Sequence, residues 1–406
     1  MFERDVRTLW FAWRAPICAL LCAAAVGGCG GGGVSAGVDT GGTGDQTPTY
    51  AYGPIDGFGS IVVNGVHFDD SAAMVLVDDG AARSRGELKL GMVVAVDAGP
   101  IGTDASGART SAATRVQWST DLQGPVQAVD VAAGTLTVIG QSVSVGAQTV
   151  FDGWPSGLAG VQVGEQVEIH ALLDAAMGRH AATRIERKAS LSQFKLRGRV
   201  ANLNALAKTF SVGAATLSYA GVAATQLPAL SNGLPVRATL LAAQQDGVWV
   251  ATKLRTDART VADGTDTEIE GFVTDFVSPA SFKINGIAID ASGSSVTFQN
   301  GSAAQIANGV RLEVEGEGRG GVVLARKVEF ESDDEADKFE LSGAVESIDA
   351  AARVFVVHGV TVVWNDATRF DGGTAASLAT GVQVEVNGSL AANGTQVLAA
   401  RIKFER

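Results

Sequence analysis

The chain has 406 residues, of which 46% are hydrophobic and 18% charged, with a formal net charge of -12; that is enough apolar material for packed cores and too little charge for a disordered chain. The acidic balance argues against an electrostatically driven nucleic-acid or anionic-membrane surface, which requires clustered Lys and Arg. The cysteines Cys18, Cys22 and Cys29 all precede residue 30, and the histidines His67, His170, His180 and His358 share no ligand spacing, which excludes a disulfide framework or a cysteine-ligated metal site from the body of the protein.

In chain order the first element is a secretory signal. Arg4, Arg7 and Arg14 precede an apolar run from Ala15 to Val26, and small residues lead to Cys29, which is the order of n-region, h-region and cleavage site. The run is shorter than the about 20 residues of a permanent membrane helix, so cleavage of residues 1 to 28 is expected. Val26-Gly27-Gly28-Cys29 resembles the lipobox of bacterial lipoproteins. The resemblance implies that the Cys29 sulfur is acylated and becomes the new first residue, and Gly30 after it implies the outer membrane, facing the periplasm or the surface. An ordinary signal peptide with an incidental cysteine is the plainer alternative. Residues 29 to 51 then hold the lipidated cysteine and a stretch dominated by Gly, Thr and Ser, which in composition is a flexible tether.

Beyond the tether the text repeats. Residues 124 to 157 align without a gap on residues 343 to 376, an offset of 219, three times 73. Gly-x-Val opens units at Gly124, Gly198, Gly271 and Gly343, with a variant from Gly57 in the first; a second glycine marker recurs at Gly91, Gly164, Gly233, Gly309 and Gly381. A basic residue before an aliphatic one closes each unit at Arg115, Arg184, Lys253, Lys327 and Arg401. Three markers in one order define five units, at residues 52–118, 119–189, 190–259, 260–332 and 333–406.

Within unit two, Leu136 and Val138 alternate with Thr135 and Thr137, and Val143 and Val145 with Ser142 and Ser144, the period of half-buried strands. Asn64-Gly65 and Asn285-Gly286 suit two-residue turns in which both φ angles are positive. Ala214 replaces the turn glycine in unit three, where a longer or bulged turn is expected. Phe151 is expected to plug its barrel and Asp152-Gly153 to turn the chain. One short helix or loop and two more strands complete the unit. That order predicts an all-β fold of five tandem, OB-like, partly open five-stranded barrels of about 73 residues. An SH3-like barrel or small sandwich shares the periodicity, but an open sheet of this size leaves edges exposed and buries too little surface. The charged linkers at residues 257 to 268 and 331 to 338 read as hinges.

"GFGSIVVNGVHFD" and "LKLGMVVAVDAG" of unit one, with "GPVQAVDVAAGTLTVIGQSV" and "VQVGEQVEIHALL" of unit two, resemble the bacterial repeat family named domain of unknown function 5666, over essentially residues 52 to 406. The resemblance implies an exported, often lipid-anchored protein of tandem units. It supplies no activity and no catalytic residue to carry over.

No set of side chains converges on chemistry. Asp69-Asp70, Asp78-Asp79 and Asp333-Asp334 read as solvated turns and linkers, because neighbours on a strand face opposite ways. "DGTDTE", residues 263 to 268, is the best calcium candidate yet lacks the length and glycine placement of an EF-hand loop. No nucleophile elbow occurs, "GEGRGG" at 316 to 321 reads as a β-turn, and His358 as an exposed turn residue. Trp364 aligns with inward-facing Val145 and is expected in the core, whereas Trp154 replaces Gly373 of unit five in a turn and is the one candidate for ligand contact. The reading is therefore a cell-envelope lipoprotein that acts as a binding or structural module, with no catalytic, cofactor or metal residue assigned. Its expected partners are the membrane, through Cys29, and an envelope protein or polysaccharide, not nucleic acid. The alternatives are an OB-like module for oligosaccharide or single-stranded nucleic acid, or a calcium-binding envelope protein.

Overall fold

Alternating apolar residues give each unit five strands that close on themselves. The computed structural model describes residues 47–77, 80–257, 259–332 and 338–405, so the signal sequence, Cys29 and most of the tether lie outside the described residues. In unit two the strands are Leu122–Asp130, Thr135–Val138, Gln141–Asp152, Gln166–Asp174 and Arg179–Lys188. The first pairs with the second and the fourth, the fourth with the fifth, and the third runs parallel to the fifth from Ser142 opposite Arg179 to Asp152 opposite Glu186. That ring is the connectivity of an OB barrel. The parallel third and fifth strands cannot be joined by a hairpin, and the crossover between them carries a single 3-10 turn, Gly157–Gly160, before the fourth strand. The other units carry the same turn at Arg85–Glu87, Ala224–Gln226, Ala303–Gln305 and Ala375–Ser377.

The repeated glycine of the first strand has a steric role. A Cβ on Gly53, Gly124, Gly271 or Gly343 would overlap Asn64, Ile139, Asn285 or His358. Each of those residues is the first turn residue of the unit's own hairpin between its second and third strands, so the turn folds back over the first strand. The opening marker of unit one is therefore Gly53, not the expected Gly57. In unit three Gly198 faces Val212, and the expected bulge is absent. Val212 pairs directly with Ala215 across a two-residue turn in which the first residue, Gly213, keeps a positive φ and the second, Ala214, does not; glycine at the first turn position suits a II′-type turn, which leaves Ala214 unstrained. Phe151 is buried as expected, and Trp364 lies in the core of unit five.

The units are not strung on hinges. The first strand of unit one, Thr49–Pro54, lies parallel to the first strand of unit four, Asp266–Ser278, from Thr49 opposite Asp266 to Tyr52 opposite Ile269. Gly57–Phe58 lies parallel to Glu340–Leu341 of unit five, and Leu122 and Gln123 of unit two pair with Leu196 and Lys195 of unit three. These pairings cover strand edges that separate barrels would leave open. The apolar cores of units two and three are continuous. Residues 257 to 268 are accordingly no hinge: Asp257 and Val261 are buried, and the segment runs into the strand paired with unit one. Of the second expected hinge, residues 333–337 lie outside the described residues.

Candidate functional site

Side chains pointing outward from one barrel meet a neighbouring barrel, so polar residues that a lone unit would expose to water become buried between units. Three junctions follow.

Between units two and three the charges close. Arg197, on the first strand of unit three, Gln193–Arg199, donates to Asp121 at 2.8 Å and to Asp257 at 2.5 Å, and Arg237 donates to the other Asp257 oxygen at 2.5 Å. Asp121 also accepts from the Ala171 backbone at 3.0 Å. Burial alone would raise the Asp121 carboxyl, but Arg197 and Arg237 hold it below the ordinary range; two guanidinium groups face two carboxylates. His180 lies buried beside them, its imidazole held down to about 4 by burial first and by the two arginines.

At the junction of units one, four and five the charges do not close. On the outer face of unit four, Glu268 stands opposite Glu315 and Glu270 opposite Glu313. The next strand sets Lys327 against Glu315 and Glu329 against Glu313. Like charges directly opposite in an antiparallel pair repel, and here unit one covers them. Arg109 of unit one donates to Glu268 and, at 3.4 Å, to Glu315; Lys327 donates to Glu315 at 2.9 Å. Glu270 holds Arg311, with Lys338 at 3.7 Å. A cavity of about 430 Å³ opens here, lined by Asp56, Glu313, Glu329, Glu331 and Glu340 among others. Burial pushes the Glu268 carboxyl up to about 7 against the pull of Arg109. Burial, and then Glu270, Glu331 and Glu268, raise Glu313 well above the carboxylate range.

Trp154 lines a second cavity, about 480 Å³, at the third junction, where units one, two and five meet. Its ring is 4% exposed, packs edge-on against Phe151 and donates through Nε1 to Glu165 at 2.8 Å. Beside it, Asn393 of unit five donates to the Pro155 carbonyl, and Phe151 N to the Gly394 carbonyl. The large ring thus sits under an inter-barrel contact that the turn of unit five does not make. Trp118, Trp249 and Trp364 are also buried, and none offers an open ring face for stacking.

The remaining sequence candidates scatter. Asp69 accepts from Ser71 N, and Asp70 pairs with Arg85; Asp78-Asp79 and Asp333-Asp334 lie outside the described residues. Within "DGTDTE", Asp263 accepts from Gly320 N and Asp266 pairs with Arg326, so only Glu268 joins the acidic cluster of Glu313 and Glu315. His358 is an exposed turn residue bonded to the Ser342 carbonyl. Sequence reasoning missed Arg197, Asp121, Asp257, Glu313 and Glu315. The alternation in "TEIEG" and "LEVEGEG" did place the glutamates on one outward face, but which barrel covers that face is not written in either strand.

A family model described as "Domain of unknown function (DUF5666)" matches residues 52–103, 123–186, 270–329 and 342–403. The third unit is not among the matched segments, yet its strands close in the same order. No curated protein matches the sequence. Among solved structures, "drosophila Unr CSD456" is similar at 13% identity over 52% of this chain and 97% of that one, with a TM-score of 0.14.

Proposed function

We propose, for a chain that belongs to the DUF5666 family, that the five barrels act as a non-catalytic structural and binding block held at the cell envelope by a lipid on Cys29. The observation that carries this reading is the Arg197 network together with the strand pairings between barrels: ionisable groups that could have converged on a substrate are spent on fixing barrels to one another. A fixed array offers a partner several faces in constant register. A flexible string would lose entropy on each engagement. The anchor and tether of residues 29 to 51 would hold that array near the membrane, against an envelope protein or polysaccharide.

Photo-crosslinking in intact cells from exposed positions on two different units tests the reading. A common envelope partner captured from both units supports it; turnover of a small molecule by the purified chain, lost on mutation of one unit's loops, contradicts it. Location has a separate test. Cys29→Ser should move the protein out of the membrane fraction and abolish palmitate labelling, and unchanged fractionation would overturn the anchor.

A further inference from the structure

At the acidic junction Arg109, Lys327, Arg311 and Lys338 face a larger number of carboxylates. Glu268, Glu313 and Glu315 each offer a carboxylate oxygen, and these oxygens lie within 4.8 Å of one another. Three carboxylates fixed on strands suit calcium, whose oxygen ligands, about six to eight in number, tolerate irregular geometry, better than magnesium, which demands a near-ideal octahedron and is usually held by one or two carboxylates and several waters.

A second observation concerns Glu268 alone. It is 1% exposed, and while Oε1 accepts from Arg109, Oε2 has no hydrogen-bond partner among the described residues. A buried carboxylate oxygen left unpaired is destabilising by more than a typical hydrogen bond contributes. Glu315 likewise gives Oε1 to both Arg109 and Lys327, which leaves its second oxygen for another donor or ion. Burial first, and the neighbouring carboxylates after it, raise the Glu268 and Glu313 carboxyls, and a bound cation would offset both effects.

We infer that Glu268, Glu313 and Glu315 form a site for one divalent cation of calcium's size, closed by unit one where Arg109 crosses the cluster. The ion fastens unit one to unit four by neutralising the face between them. The site takes only the last residue of the acidic "DGTDTE" stretch and draws the others from a strand 45 residues further along.

The test uses the mature full-length protein stripped with EDTA. Millimolar CaCl₂ should raise the thermal unfolding midpoint and give a saturable calorimetric titration, with MgCl₂ weaker in both. Glu313→Gln and Glu315→Gln should each weaken calcium binding by about tenfold or more, since ligand charge sets affinity. Glu313→Gln should also raise the calcium-free midpoint at neutral pH, because the amide avoids the cost of burying a carboxyl that must take up a proton to fold, which separates loss of a ligand from loss of the fold. Absence of any calcium-dependent rise in the wild type, or a rise undiminished in both variants, overturns the site; an equal response to magnesium overturns the size assignment.

Discussion

Replacing Arg197 with Met should loosen unit three from unit two more than any surface change. Arg197 is 2% exposed and Asp121 1%, so the variant leaves a buried carboxylate with the Ala171 N–H at 3.0 Å and the weaker pull of Arg237. Asp257 keeps Arg237 at 2.5 Å. Breaking one side of a buried ion pair costs about 3–5 kcal/mol, because the remaining charge is uncompensated. With Asp257 still paired, the lower part of that range applies, about 3 kcal/mol, against a total stability of about 5–15 kcal/mol for a domain. Urea titration at pH 7 followed by tryptophan fluorescence reads the shift, since Trp154 and Trp249 are buried in these two units. Adding Asp121→Asn to Arg197→Met should recover at least about half of the loss by removing the stranded charge. A cost below about 1 kcal/mol for Arg197→Met, the range of exposed pairs, or a double variant no better than the single, would refute the claim that this network bonds the two barrels.

Acid should weaken the same junction. His180, unfolded, titrates near about 6.5 and in the fold is held down to about 4. The stability its neutral form supports is present above the unfolded value and lost as pH falls toward the folded one, by about 2 kcal/mol between pH 7 and pH 5. The wild-type urea midpoint should therefore fall more over that interval than that of His180→Asn; equal slopes would contradict it. Gly124→Ala should cost about 1–3 kcal/mol by overpacking, because its methyl group would overlap the Ile139 side chain, whereas Gly164→Ala meets no neighbour within 4 Å and carries only the strain of its positive φ. A neutral Gly124→Ala would remove the steric account of the repeated glycine.

Period-two alternation and turn glycines made the barrel legible, because those signals are local and each unit restates them. Leu136 and Val138 point inward whatever lies outside the barrel. The packing of barrels on one another was not legible for the opposite reason. Glu268 and Arg197 occupy outward positions that look solvated in any single unit, and their partners, Arg109 and Asp121, lie in other repeats. The charged text at 257 to 268 read as a hinge because composition reports polarity, not the neighbour that satisfies it. Trp154 stood out from the repeat pattern for a real cause, since it lines a cavity where three units meet, beside the Asn393 bond to Pro155, but the alignment could not say that other barrels close over that turn. The turn of unit three misled because moving the glycine from the second turn position to the first changes the turn type and leaves its length alone.

Small-angle scattering of the soluble Cys29→Ser chain, mature from residue 29, tests the fixed block most directly. A compact body of the size of residues 47–406 has a radius of gyration of about 21 Å, and five separate bodies of one unit each in a row give about 40 Å. The account predicts a value close to the first, unchanged between low and moderate salt because the ion pairs between barrels are buried. A radius approaching the second, or one that grows with salt, would show barrels moving independently and contradict it.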